Sequence, residues 1–212
     1  EPSILGISAG AALGATFSIL IGGSSKIFFG LGTPFWAFIG ALGASFFVLL
    51  LSGISGRMST VKMVLSGAVA SALFIALSNF IVYISNNAEG IRSVTFWTMG
   101  SLAAAKWENL ALPAISITLS CLFFLFQSRI LNALLLGEEA AITLGIDLTK
   151  IRRLYLIITA FVTGIIVAAC GSFGFVGLVI PHLVRGLVGS DHRRLLPAVI
   201  LVGAIFLTWA DV

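Results

Sequence analysis

The amino-acid sequence predicts an all-α, polytopic membrane protein, a helical bundle with about seven spans in 212 residues. The first observation is composition: charged residues make up 9% of the chain and hydrophobic residues 59%. An average soluble domain carries roughly a quarter of its residues as charged ones. The second observation is continuity, because a spanning helix needs about 20 mostly apolar residues. Uncharged runs of at least that length cover residues 2–25, 27–56, 63–88, 109–128 and 154–184.

Basic residues between the runs predict the orientation of the spans, since Lys and Arg concentrate in cytoplasmic loops. If successive loops alternate between the two sides of the membrane, few basic residues lie outside: Lys26, Arg92 and Lys106. A larger basic set then lies inside: Arg57, Lys62, Arg129, Lys150, Arg152 and Arg153. The run 154–184 has basic residues beyond both ends, so we expect it to reverse near residues 171–174 and to cross twice. This gives one helix of about 17 residues and one of about 14, both short for a bilayer and tolerable only when protein surrounds them.

The resulting spans lie near residues 3–22, 35–55, 63–84, 108–127, 154–170, 174–188 and 196–212. Gly6, Gly10 and Gly14 are spaced by four on the first span, which predicts close approach to another helix. Residues 66–72, SGAVASA, offer a similar face of small residues on the third span. We expect residues 1–212 to form one transmembrane domain, a fragment of a longer protein truncated at both ends.

Catalytic and metal-binding signals are absent from the sequence. It contains neither GxSxG nor HExxH, and its four lysines follow Ser, Val, Ala and Thr, so it has no Walker A Gly-Lys pair. His182 and His192 have no partner at metal-ligand spacing, and Cys121 and Cys170 lie in apolar runs as packing residues. We therefore expect no enzyme activity, cofactor or metal. If ATP drives this protein, the ATPase lies outside the sequence.

Residues 129–153, here called the coupling segment, form the longest polar interruption and are predicted to be cytoplasmic. Glu138 and Glu139 follow Gly137 and suit the positive end of a helix. Gly145 would end that helix, and Asp147 would cap a second short one. The two helices would share an apolar edge: Ala141, Leu144, Ile146 and Leu148. This pattern indicates either a docking knob or an ordinary surface loop.

The predicted outer segment, residues 85–106, contains large apolar residues although it lies outside the spans. Phe96, Trp97 and Met99 predict a short helix that lies on the membrane or dips into it. Such a helix could cap a translocation path. Alternatively, Trp97 and Trp107 belong to the aromatic belt at the membrane interface.

Three stretches resemble the permease subunits of ABC importers for iron-siderophores, haem and cobalamin. They are residues 171–196 (GSFGFVGLVIPHLVRGLVGSDHRRLL), 134–146 (LLLGEEAAITLGI) and 1–15 (EPSILGISAGAALGA). The resemblance implies a subunit with ten spans in the bacterial plasma (inner) membrane, of which this chain would hold the third to the ninth. It also implies a short outer helix near residues 91–100.

The resemblance further implies partners: two cytoplasmic ATP-binding subunits, a second permease subunit in a homodimer or heterodimer, and a periplasmic or lipid-anchored substrate-binding protein. The resemblance also implies contact with the lipid bilayer, and it implies no binding of nucleic acid. The ATPases would bind within the coupling segment at Gly137, Glu138, Glu139, Ala140, Leu144 and Gly145.

The third span and the outer helix would contribute path and gate residues: Ser66, Ala70, Leu73, Leu77, Phe80, Phe96 and Trp97. A structural reversal motif would comprise Gly171, Gly174, Gly177, Pro181 and His182. The implied substrate is a ferric siderophore or a haem-type iron chelate. Cobalamin or molybdate import by the same fold, and transport without an ATPase, remain alternatives.

Overall fold

The computed structural model describes residues 4–21, 32–53, 59–103, 105 and 107–211. Regular secondary structure in these ranges is entirely α-helical, which confirms the predicted fold class. Lys26, Arg57 and Lys106, for which a side of the membrane was predicted, lie outside the described residues. The helices in chain order are α1 (Ile7–Leu20), α2 (Gly32–Gly53), α3 (Thr60–Ile84), α4 (Ala88–Met99), α5 (Trp107–Phe126), α6 (Ser128–Leu135), α7 (Glu138–Thr143), α8 (Leu148–Cys170), α9 (Val176–Val188) and α10 (His192–Ala210).

The number of full-length spans differs from the predicted seven. Four described helices are long and apolar enough to cross a bilayer: α2, α3, α8 and α10. The apolar part of α5 and helix α6 form a possible fifth span with a 58° bend. The remaining two predicted spans, α1 and α9, have 14 and 13 residues. At 1.5 Å per residue these two helices rise only about 20 Å, less than the hydrocarbon thickness of about 30 Å.

The predicted length of the fifth apolar helix was wrong. The expected helix 154–170 is the C-terminal part of α8, which has 23 residues and begins at Leu148. The Asp147 carboxylate accepts a hydrogen bond from the Lys150 backbone N–H at 3.1 Å and starts the helix there. The first turns of α8 are therefore polar, and the span continues from them without a break.

Helix α1 lies at the centre of the packing, against α2, α3 and α8. A Cβ atom built on Gly10 would meet Ala44 Cβ at 2.5 Å as well as the Gly40 carbonyl oxygen, and one on Gly14 would meet the Trp36 carbonyl oxygen. Gly67 on α3 lies equally close to the carbonyl of Ile4. These contacts confirm the close helix approach predicted from the small residues. Association of helices in lipid depends on such van der Waals packing.

The chain reverses between α8 and α9, as the distribution of basic residues predicted. Gly171 has φ +79° and Phe175 has φ +64°, both in the left-handed region. Hydrogen bonds connect residues 97–102, 170–175 and 211 at one end of the bundle. We call this end the outer end. The inner end holds residues 59–62, 128–152 and 188–194, which are also connected to one another.

Replacing Gly14 with Ala is expected to destabilise the bundle by about 1–3 kcal/mol, because the added methyl group collides with the backbone of α2. Gly43→Ala is the matched control, since a Cβ at this position on α2 meets nothing within 4 Å. The Gly43→Ala control is expected to be more stable by about 1 kcal/mol, because alanine has a higher helix propensity than glycine. Unfolding in mixed detergent micelles measures both variants, and equal stability of the two would contradict the packing role of Gly14.

Candidate functional site

The coupling segment folds around α7, a helix of six residues. Gly137 turns the chain into α7 with φ +103°, and Glu138 and Glu139 occupy its first turn, where the helix dipole favours acids. Gly145, with φ +79°, ends the helix, and the Ile146 N–H donates to the Ala141 carbonyl at 3.1 Å. The predicted first helix is therefore confirmed. The second is not a separate short helix but the start of α8.

The connection from α7 to α8 is fixed by Asp147. Hydrogen bonds from the Lys150 backbone N–H and from its ammonium group lower the pKa of the Asp147 carboxyl below its ordinary value. The two side chains also form an ion pair at 3.2 Å. Because both partners belong to the start of α8, this ion pair orders the connection locally and reaches no other span.

The predicted apolar edge of the coupling segment is only partly exposed. Ala141 and Leu148 are buried against the protein, Ile146 is half-buried, and Leu144 is exposed as predicted. Three apolar side chains on or next to α7 are largely uncovered, with exposed fractions of 71% for Leu136, 59% for Ile142 and 64% for Leu144. Uncovered apolar side chains that cluster in a short segment are typical of a protein-binding site. We call Leu136, Ile142 and Leu144 the knob face.

The predicted coupling residues differ in their exposure to solvent. Most of them are exposed: Gly137, Glu138, Glu139, Leu144 and Gly145. Ala140 is half-buried. Glu138 is engaged within the chain, because its Oε1 atom accepts a hydrogen bond from Arg152 Nη2 at 2.5 Å. Sequence reasoning found Glu138 but gave Arg152 no partner, since the two residues lie on different helices.

A second polar contact at the inner end joins α6 to the start of α10. The Asn132 side-chain amide donates to Asp191 Oδ1 at 2.7 Å, and its oxygen accepts from the His192 backbone N–H at 2.9 Å. The Asn132 hydrogen bond, together with the Arg193 backbone N–H, lowers the pKa of the Asp191 carboxyl. The ionised carboxylate therefore caps α10 at neutral pH and holds α6 beside it.

The predicted path residues on α3 share one helical face, because they are spaced by three or four residues, but they differ in exposure. Ser66 and Ala70 are buried, and Ala70 packs in a cluster with Val48 and Leu156. Leu73, Leu77 and Phe80 are uncovered by this chain. Leu77 and Phe80 also border an apolar groove of about 340 Å³ between α1, α2 and α3.

The two predicted gate residues belong to α4, the short outer helix that was predicted near residues 91–100. Phe96 is exposed, whereas Trp97 is half-buried against the cluster formed by α1, α2 and α8. The α4 helix begins at Asn87, whose side-chain oxygen accepts from the Gly90 N–H at 2.9 Å. The assignment of path and gate residues stays a prediction.

Of the predicted reversal motif, Gly171 makes the decisive contacts. It is buried, and a Cβ atom on it would meet the Trp97 carbonyl oxygen and Gly100 Cα, the latter at 2.8 Å. Next to it, Ser172 Oγ donates to the Thr98 carbonyl at 2.8 Å, and the Ser101 N–H donates to the Cys170 carbonyl at 2.9 Å. The reversal therefore holds the C-terminal end of α4.

The other members of that motif lie apart from these contacts. Gly174 precedes α9, and Gly177 lies in its first turn, both exposed. Pro181 lies inside α9, and His182 is exposed beside it. No group of three His, Cys, Asp or Glu side chains that could hold a metal ion occurs among the described residues.

At the outer end the Asp211 carboxylate accepts the Leu102 N–H, at 3.2 Å and 3.1 Å for its two oxygens. The structure places Asp211 at the C-terminal end of α10, where it binds the loop after α4. Asp211 therefore holds a loop in place at the end of the bundle.

The FecCD transport family matches the sequence over residues 1–212. The chain is 40% identical to the cobalamin import system permease protein BtuC of Halobacterium salinarum, covering 100% of this chain and 56% of that protein. It is 37% identical to the molybdate import system permease protein MolB of Haemophilus influenzae and 38% identical to the hemin transport system permease protein HmuU of Yersinia pestis. These two matches cover 100% of this chain and 61% and 63% of the relatives.

The fold is also similar to a solved structure, an inward-facing conformation of an ABC transporter assigned to the metal-chelate type. The TM-score is 0.89 at 36% sequence identity, covering 100% of this chain and 66% of that one. The chain thus spans 56% to 63% of the length of the three relatives.

Gly171→Ala is expected to destabilise the outer end more than Gly189→Ala. Both glycines end a helix, with φ +79° and +83°, in a conformation that costs a residue with a side chain about 1–3 kcal/mol. Only at Gly171 would the added methyl group also collide with α4, since nothing lies within 4 Å of a Cβ at Gly189. Thermal unfolding in detergent and proteolysis of residues 85–103 measure the difference, and equal losses would contradict the proposed contact.

Proposed function

The chain belongs to the FecCD transport family and is a multi-pass protein of the inner membrane, and from this premise we propose that it is the membrane-spanning permease of an ABC importer. Residues 1–212 would form one transmembrane domain, a fragment of a larger subunit, and residues 129–153 its cytoplasmic coupling segment. The chain itself would be a transporter subunit rather than an enzyme, and ATP hydrolysis would take place on separate polypeptides.

The observation that carries this proposal is the knob face. Leu136, Ile142 and Leu144 are uncovered apolar side chains on or next to the short helix α7, which packs against α6 and α8. The sequence holds no Walker A lysine, so the energy for transport would enter through a partner. A rigid protrusion with an apolar face is suited to receive the movement of that partner.

We propose α3 as the path-lining helix. One of its faces is packed through Ser66, Gly67 and Ala70, and the opposite face is uncovered by this chain along most of its length. Leu73, Leu77 and Phe80 continue the packed face toward the outer end, where this chain leaves them uncovered, and none of them carries a charge. A second permease subunit facing this one would leave a path between the two uncovered faces, with Phe96 and Trp97 near its outer opening.

The proposed assembly contains two permease subunits and two ATP-binding subunits. A periplasmic or lipid-anchored binding protein would dock at the outer end and release the substrate into the path. The anchoring of α4 to the reversal at Gly171 and Ser172 supports an outer surface that keeps its shape while a partner binds. Coupling residues in this scheme are Gly137, Glu138, Glu139, Ala140, Leu144 and Gly145.

We propose a ferric siderophore or a haem-type iron chelate as the substrate. The relatives are named for cobalamin, molybdate and hemin, and the similar structure is assigned to a metal-chelate transporter. A broad apolar surface without fixed charge suits a large amphiphilic chelate, because no single site on it binds the cargo too tightly to release it. Cobalamin is the second candidate, since it is a large chelate and names a relative with 40% identity.

Uptake measurements in a deletion strain test the substrate. Cells lacking the permease are expected to lose uptake of radiolabelled ferric siderophore or haem and to keep uptake of cobalamin and molybdate. Loss of cobalamin or molybdate uptake alone would instead assign the corresponding substrate. Uptake that persists in ATP-free proteoliposomes, driven by an ion gradient, would contradict the ABC importer and favour a secondary transporter.

The double substitution of Ile142 and Leu144 by Ser is expected to lower the amount of ATPase that is retained in the purified complex by about tenfold or more. The reason is that two apolar contacts of about 1 kcal/mol or more each are lost. Leu187→Ser is the control, because Leu187 is even more exposed, near the end of α9, but lies outside the knob face. Retention of the ATPase in detergent measures both variants. Equal retention by the double variant and the wild type would rule out the knob face as the docking site.

Gly145→Pro is expected to uncouple ATP hydrolysis from uptake. Proline fixes φ near −65°, whereas Gly145 has φ +79°, so the variant cannot keep the turn between α7 and α8. Transport and ATPase rates measured on the assembled complex test this effect. Normal assembly with normal transport would contradict the coupling role of the segment.

A further inference from the structure

We propose that Arg152 is a positioning residue that transmits the movement of α7 to α3, by binding Glu138 of α7 and Thr60 of α3 at the same time. The role of Arg152 rests on the proposed function of α7 as the docking site of the ATPase and of α3 as the path helix. It adds a specific mechanical connection between these two elements.

The geometry places all three side chains around one nitrogen atom. Arg152 Nη2 donates to Glu138 Oε1 at 2.5 Å and to Thr60 Oγ1 at 3.1 Å. Thr60 Oγ1 in turn lies 3.4 Å from Glu138 Oε1. The guanidinium group therefore bridges the first residue of α7 and the first residue of α3.

This bridge connects helices that pack against different neighbours. Among the described residues, α7 packs against α6 and α8, while α3 packs along its length against α1 and α2. The start of α3 is itself ordered, because Ser59 Oγ caps it by accepting the Lys62 N–H at 3.3 Å. A displacement of α7 therefore reaches a rigid end of α3 through the side chain of Arg152.

Burial differs between the two charged partners, and this difference separates a transmission role from a stability role. The Arg152 side chain is only 15% exposed, so most of it packs against the protein. The Glu138 side chain is 52% exposed and becomes solvated again when its partner is removed. Substituting Arg152 therefore leaves no buried carboxylate without a partner, and the variant protein is expected to fold.

The planar guanidinium suits this position better than an ammonium group. It offers several donors in a fixed arrangement, whereas a lysine presents one compact charge on a flexible stem. Lys150 provides a matched control two residues earlier in α8. It also forms an ion pair, but with Asp147, 3 residues away at the start of the same helix, and both side chains are exposed.

The test uses the complete transporter, purified with its ATPase and reconstituted in proteoliposomes with its binding protein and substrate. Arg152→Met, Thr60→Val and Lys150→Met are compared for ATPase retention, ATP hydrolysis rate and substrate molecules imported per ATP. Arg152→Met is expected to keep the complex and its ATPase rate, and to lower import per ATP by about tenfold, the size of a typical coupling free energy. Thr60→Val is expected to lower it by about threefold, as the loss of one hydrogen bond implies.

Lys150→Met should behave like the wild type, and Arg152→Lys should fall between the wild type and Arg152→Met. Exchange of the two charges, by combining Glu138→Arg with Arg152→Glu, should restore part of the import that each single reversal removes. A parallel fall in ATP hydrolysis and import, or loss of the complex in Arg152→Met, would overturn the proposal, because either result indicates a purely structural role. Failure of the wild-type complex to retain an ATPase would instead reject the proposed function itself.

Discussion

Close approach of helix backbones at glycine is the constraint on which the rest of the bundle depends. Surrounding lipid is as apolar as leucine, so helices in a membrane gain little from burying apolar side chains and associate through packing. Gly10 and Gly14 bring α1 into contact with carbonyl groups of α2, and Gly67 of α3 meets the carbonyl of Ile4 just before α1. Once α1 is held in this way, one face of α3 is covered and the opposite face is left uncovered by this chain.

Polar interactions between distant segments concentrate at the two ends of the bundle. At the outer end the reversal after α8 holds α4 through Gly171 and Ser172, and Asp211 holds the loop that follows. At the inner end Arg152 and Asn132 connect α7 and α6 to other spans. The described parts of the spans between these ends carry few charges, so their mutual contacts are mostly apolar. Such a bundle has its polar connections mainly at its two ends.

Local signals in the sequence correctly identified several turns. Asp147 caps a helix and Gly145 ends one, because both effects depend on a few neighbouring residues. The reversal near Gly171 followed from counting basic residues at both ends of one apolar run. The length of α8 was missed because its first turns are polar and were assigned to the loop, although a capped helix can extend beyond the membrane. The apolar edge of the coupling segment was predicted correctly at Leu144 and wrongly at Ala141 and Leu148, which face the protein.

The sequence by itself determined the helical class, the reversals of the chain and the end of the bundle at which each described loop lies. Hydropathy, caps and loop charge are properties of short stretches, and each can be read without knowing where the stretch lies in space. Only the tertiary structure decided which face of α3 is covered and that Arg152 meets both Glu138 and Thr60, 14 and 92 residues away. These contacts depend on the rotation of each helix about its own axis. That rotation is set by packing against several other helices at once, so no local pattern specifies it.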